Sequence, residues 1–93
     1  MHDAAPFSAV ARITNKRGLH ARASAKLAEA ASRFKAHITV SKDGLSVEAR
    51  SVMSLMLLAA SMGTQVEISA KGEDAREALT SILALIAADF GEE

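Results

Sequence analysis

Two short runs of alternating apolar residues flank an Asp43-Gly44 dipeptide, and this arrangement limits the possible folds more than any other feature of the chain. Residues 36–41 put Ile38 and Val40 on one face and His37, Thr39 and Ser41 on the other. Residues 45–49 likewise put Leu45, Val47 and Ala49 on one face. A period of two marks a half-buried strand. Asp-Gly between two such strands supplies the positive φ that a two-residue hairpin needs. The pair is therefore expected to be antiparallel, with one apolar and one polar face. A sheet of that kind needs helices on one side only.

The remaining segments extend this pattern. Residues 1–7 are expected to form a loose N-terminal tail. Residues 8–14 read as a strand with Ala9, Ala11 and Ile13 on one side, and residues 15–18 as a loop. Over residues 21–34, Ala23, Leu27, Ala30, Ala31 and Phe34 recur at helical spacing. Ser51 precedes a very apolar run, residues 52–58, that reads as a short helix with Ser51 as its N-cap. Residues 65–71 alternate again, with Val66, Ile68 and Ala70 inward. Residues 74–89 form a long helix striped by Ala75, Ala78, Leu79, Ile82, Leu83 and Ile86. The order is β-α-β-β-α-β-α in one α+β domain, residues 1–93. Periodicity alone does not fix the strand order, because a ferredoxin-like domain gives almost the same string.

Composition narrows the function. Eleven basic residues balance eleven acidic ones. No strongly basic face for nucleic acid and no polybasic membrane anchor is expected. There is no cysteine, so disulfides, thiol catalysis and thiolate metal sites are excluded. No metal site and no cofactor are expected. The opening Met-His-Asp-Ala-Ala-Pro is unlike a secretory signal, and no apolar run reaches membrane-spanning length, so a cytoplasmic location is expected.

The segment Gly18-Leu19-His20-Ala21-Arg22 carries the chemistry. Gly18 lets the loop turn tightly into a helix. His20 falls at or just before the first helical turn, and Arg22 two residues later. A helix start has unpaired N–H groups and partial positive charge, which favour an anion. A neutral imidazole nitrogen is a competent nucleophile. The helix end and Arg22 should keep its lone pair available and then hold the oxygens of an attached phosphoryl group. His2 lies in the tail and His37 on a polar strand face, and neither suggests chemistry.

The string ITNKRGLHARASAKL resembles the active-site segment of HPr phosphocarriers, the histidine-containing proteins of bacterial phosphoenolpyruvate-dependent phosphotransferase systems. EARSVMSLMLLAASMGTQVEI is similar to the region around their second helix, and residues 71–90 are similar too. The resemblance implies an open-faced β-sandwich, with a four-stranded antiparallel sheet and three helices on one face. It implies that His20 is phosphorylated by Enzyme I, that Arg22 assists, and that an EIIA-type protein accepts the group. It implies for Ser51 a regulatory phosphorylation by HPr kinase/phosphorylase, found in some lineages. Many members have proline where this chain has Ala23; alanine keeps the helix. From residue 49 to the acidic end the chain resembles the nitrogen-related branch more than the sugar-transport carriers.

Val52, Met53, Leu55, Met56, Leu57 and Leu58 cannot all face the core from so short a helix. Part of this run, with Met53 and Leu57 as candidates, is expected to form an apolar docking patch for transient partners. The expected protein is a monomeric phosphoryl carrier of transferase type rather than a free-standing metabolic enzyme. The alternative is a non-catalytic α/β-sandwich module that binds a ligand or partner and leaves His20 unmodified.

Overall fold

The computed structural model describes residues 6–92. Its elements are β1 (Phe7–Arg12), α1 (Ala21–Ser32), β2 (His37–Lys42), β3 (Leu45–Glu48), α2 (Val52–Leu57), β4 (Gln65–Lys71) and α3 (Ala75–Ala87), followed by a 3-10 turn over Asp89–Gly91. The strands form one sheet in the order β1-β4-β2-β3. All three pairings are antiparallel. The order that periodicity left open is set by long-range pairs such as Phe7↔Ala70 and Ile38↔Ala70. Four antiparallel strands and three helices make the expected open-faced sandwich.

The hairpin closes as its sequence requires. Lys42 pairs with Leu45, and Asp43 and Gly44 both have positive φ, 53° and 85°. Ile38, Val40, Val66, Ile68 and Ala70 are buried on the covered face, where Leu27, Leu55, Ile82 and Ile86 join them in one core. His37, Gln65, Glu67 and Lys71 stay exposed. Burying each large aliphatic side chain is worth about 1.5–3 kcal/mol, so this layer dominates the stability of the sheet.

Most element ends fall within one or two residues of the sequence reading, and three differences have a physical reason. Residues 1–5 of the expected tail lie outside the described residues, but Phe7 already pairs in β1, and Arg76 of α3 stacks on its ring at 5.3 Å. Leu45, expected inward, is 46% exposed. Alternation puts it on the covered side, yet it stands at the hairpin end of an edge strand. The last helix stops at Ala87 rather than at residue 89, because Asp89 and Phe90 take positive φ, 54° and 56°.

The turn after α3 is held by several contacts. Left-handed backbone costs an L-residue roughly 1–2 kcal/mol. Burial of Phe90, 1% exposed, offsets a comparable amount. Lys26 Nζ also donates to the Phe90 carbonyl at 2.7 Å, and the Thr14 hydroxyl donates to the Asp89 carboxylate. The chain after α3 is thereby folded back against the β1–α1 loop.

Candidate functional site

The loop between β1 and α1 is closed by Asn15. The Gly18 N–H donates to the Asn15 carbonyl at 3.1 Å, and Asn15 Nδ2 returns a bond to the Gly18 carbonyl at 2.8 Å. Gly18 has φ +63°, and a Cβ there would lie 2.4 Å from the Ala60 carbonyl oxygen. Only glycine lets the loop pass this close to the segment after α2. The Leu19 N–H then donates to that same oxygen at 2.9 Å, and the buried Leu19 side chain pins the loop to the core.

His20 comes next, in extended conformation, as the N-cap of α1. Its carbonyl accepts from Ser24 N at 2.8 Å and starts the helix. Its side chain makes no capping bond. A serine or aspartate at this position would occupy an N–H of the first turn. The imidazole leaves those donors free to meet an anion. Helix α1 runs on because Ala23, Ser24, Leu27, Ala28 and Ala31 bury one face.

His20 Nε2 lies 2.6 Å from Glu92 Oε2. Asn15 Nδ2 donates to the other carboxylate oxygen, Oε1, at 3.1 Å. The His20 bond, and then the Asn15 bond, hold the Glu92 carboxyl below its ordinary value, with smaller help from the ring's charge and Lys26 and some opposition from burial. Both side chains of the pair are about four-fifths covered, 17% and 19% exposed.

A shallow hollow beside the imidazole is lined by Lys16, Arg17, Arg22 and Glu92. Three cations thus line one hollow with the imidazole at an uncapped helix start, a setting that suits a multiply charged oxyanion. A second hollow joins His20 to Arg17, Leu19 and Ala59–Ser61, the segment that follows α2. Among the described residues no cluster of His, Asp or Glu has the arrangement to hold a metal ion.

His20 and Arg22 are therefore brought together as the sequence suggested. Ser51 stands apart, at the start of α2, where its Oγ accepts from Ser54 N at 3.1 Å and donates to Ser54 Oγ at 2.9 Å. Its role as N-cap is realised. Leu55 and Leu58 are buried, whereas Met53 and Leu57 are 75% and 72% exposed, with Met56 and Met62 also on the surface. Lys16 and Arg17 were not singled out in the sequence, although a basic pair just before Gly-Leu-His was a usable signal. Glu92 gave none, because its place depends on the reversal at Asp89 and Phe90.

Comparisons with known proteins identify the family. The family model for the HPr component phosphorylation site of the phosphotransferase system matches residues 7–88. The phosphocarrier protein HPr of Cupriavidus necator is 49% identical over 80 residues, which cover 86% of this chain and 90% of that protein. The phosphocarrier protein NPr of Shewanella violacea is 46% identical over 80 residues, covering 86% of this chain and 88% of its own. The crystal structure of HPr-C-His from Thermoanaerobacter tengcongensis superposes with a TM-score of 0.90 at 42% identity, covering 94% of this chain and 98% of that one. Relatives named HPr and NPr thus match about equally well. Likeness this extensive, in sequence and in fold, places the chain in the HPr family, the phosphocarriers of the phosphotransferase system.

Proposed function

We propose that His20 is the residue that carries the phosphoryl group, received from Enzyme I and passed to an EIIA-type protein. The observation that supports this most directly is the uncapped imidazole at the start of α1, beside Lys16, Arg17 and Arg22. The ring supplies the lone pair. The first-turn N–H groups and the three cations neutralise the phosphoryl oxygens once the P–N bond has formed. Arg22, with its planar fork of donors, is the residue best suited to bind two of those oxygens at once.

In this reading the protein works as a single-domain, cytoplasmic monomer and needs no cofactor. Met53 and Leu57 form the apolar surface against which donor and acceptor dock in turn, and Ser51 is the regulatory position for HPr kinase/phosphorylase. No helix among the described residues is long and apolar enough to cross a membrane.

The test is incubation with phosphoenolpyruvate and Enzyme I, followed by intact mass. One phosphate is expected, acid-labile and alkali-stable as a phosphoramidate is. The His20→Ala variant should fold and stay unlabelled. Full labelling of that variant would remove His20 from the reaction.

A further inference from the structure

Glu92 has no part in the phosphoryl chemistry assigned to His20 and its cations, yet the end of the chain is built to hold it on His20. Phe90 is buried, Lys26 ties down the Phe90 carbonyl, Thr14 bonds Asp89, and Asn15 bonds Glu92 itself. Two residues in left-handed conformation are kept in the path. Such conformations persist only where the surroundings over-determine them.

We propose that Glu92 is a positioning residue for phosphoryl transfer: its carboxylate takes the Nε2–H of His20, leaves Nδ1 as the nucleophile, and counters the positive charge the ring gains on phosphorylation. The inference rests on His20 being the phosphoryl acceptor. An ionised carboxylate can only accept a hydrogen bond, while a neutral imidazole has one N–H and one lone pair. The 2.6 Å contact to Nε2 therefore places the proton on Nε2 and the lone pair on Nδ1. The second hydrogen bond, from Asn15, fixes the carboxylate in turn. A carboxylate that orients a histidine and stabilises its cationic form serves acyl transfer in the same way.

The step balances without moving a proton. The Nδ1 lone pair forms the new bond to phosphorus as the donor's bond to phosphorus breaks, and the donor leaves with that electron pair. The ring becomes an N-phosphoryl imidazolium that retains its Nε2–H against Glu92. On onward transfer the acceptor attacks phosphorus and the P–Nδ1 electrons return to the ring. Charge that develops on the ring in both transition states faces a carboxylate already in place, which is where preorganised electrostatics lower a barrier.

The experiment compares the wild-type chain with Glu92→Ala and Glu92→Gln. Imidazole ¹⁵N spectra at neutral pH report the tautomer, and phosphorylation by Enzyme I with phosphoenolpyruvate reports the rate. The wild type should show the Nε2–H tautomer of His20. Glu92→Ala should show a mixture of tautomers and take phosphate about tenfold more slowly. Glu92→Gln should keep the tautomer, because its amide oxygen accepts the same bond, and should recover part of the rate. A Glu92→Ala chain with wild-type tautomer or wild-type rate overturns the inference, as does a faster one, which would make the carboxylate an obstruction. If the wild type takes no phosphate on His20, the acceptor assignment falls and this inference with it. If the wild type is labelled there and Glu92→Ala is unaffected, only the role of Glu92 falls.

Discussion

Glu92 Oε2 and His20 Nε2 meet at 2.6 Å across 72 positions of sequence, so the proposed phosphoryl site is assembled from both ends of the described chain. The contact should respond to acid. Hydrogen bonds from His20 and Asn15 hold the Glu92 carboxyl below its ordinary value of 4.5. A carboxyl depressed in the folded state contributes stability that is fully present above its unfolded value and is lost as pH falls through its folded value. The contact should thus be intact at neutral pH and down to about 4.5, and should weaken only in more acid solution. A ¹³C titration of the Glu92 carboxyl should give a midpoint below 4.5 in the wild type and one nearer 4.5 in His20→Ala. A midpoint unmoved by His20→Ala would mean that the pair does not form in solution.

Gly18 sets the position of His20 through the backbone. A Cβ at residue 18 would meet the Ala60 carbonyl oxygen at 2.4 Å and Ser61 Cα at 2.8 Å, both main-chain atoms with little room to yield. The positive φ adds roughly 1–2 kcal/mol of strain for any L-residue. Gly18→Ala should therefore destabilise the fold by about 2 kcal/mol or more in urea titration. It should also slow phosphorylation of His20, because the Leu19 bond to Ala60 is displaced with it. Stability within about 0.5 kcal/mol of wild type would show that the loop does not depend on this close approach.

Arg22 is exposed beside His20, and Lys16 and Arg17 line the same hollow. Arg22→Ala should slow transfer by about tenfold, equivalent to about 1.4 kcal/mol of transition-state stabilisation. Arg22→Lys should recover only part, since an ammonium lacks the two-pronged geometry. The neighbouring cations make complete loss unexpected. Unchanged rapid-quench rates in Arg22→Ala would leave Arg22 as an ordinary solvated helix residue.

Met53 and Leu57 are too exposed to matter much for folding. Met53→Glu should change stability by less than about 0.5 kcal/mol, as surface substitutions usually do. In a calorimetric titration it should weaken binding to Enzyme I, because a charge would be desolvated on docking. Wild-type affinity would remove Met53 from the interface.

How much of the fold and the site was readable depended on the range of the interactions. The hairpin and the inward faces of Ile38, Val40, Val66 and Ile68 follow from local rules, and they appear as expected. The strand order depends on contacts such as Phe7↔Ala70 that leave no local trace. Leu45 shows the limit of alternation, which gives the face of a residue and not whether anything covers it. That His20 and Arg22 share one hollow was legible, because they lie two residues apart at one helix start. Glu92 was not, because two successive non-glycine residues in left-handed conformation, Asp89 and Phe90, create its position, and although aspartate tolerates that conformation, nothing in the phenylalanine side chain announces it.

Ser51 caps α2, and the regulatory role proposed for it can be separated from that structural one. Its Oγ accepts from Ser54 N and so caps α2, a helix of only six residues. Losing such a cap costs about 0.5–2 kcal/mol. A phosphate at a helix start is favoured by the local dipole, so modification should leave the fold intact. It would nonetheless add about two negative charges at the head of the helix that presents Met53 and Leu57. A donor that docks on an apolar surface should then bind more weakly, and His20 should be phosphorylated more slowly. Ser51→Asp keeps a capping oxygen and adds charge, whereas Ser51→Ala removes the cap and adds none. The Asp variant should be nearly as stable as wild type and slower to accept phosphate from Enzyme I; the Ala variant should be less stable in urea yet accept phosphate at the wild-type rate. If Ser51→Asp and the true phosphoserine protein both accept phosphate as fast as wild type, charge at this position does not gate His20, and capping is the whole of its role.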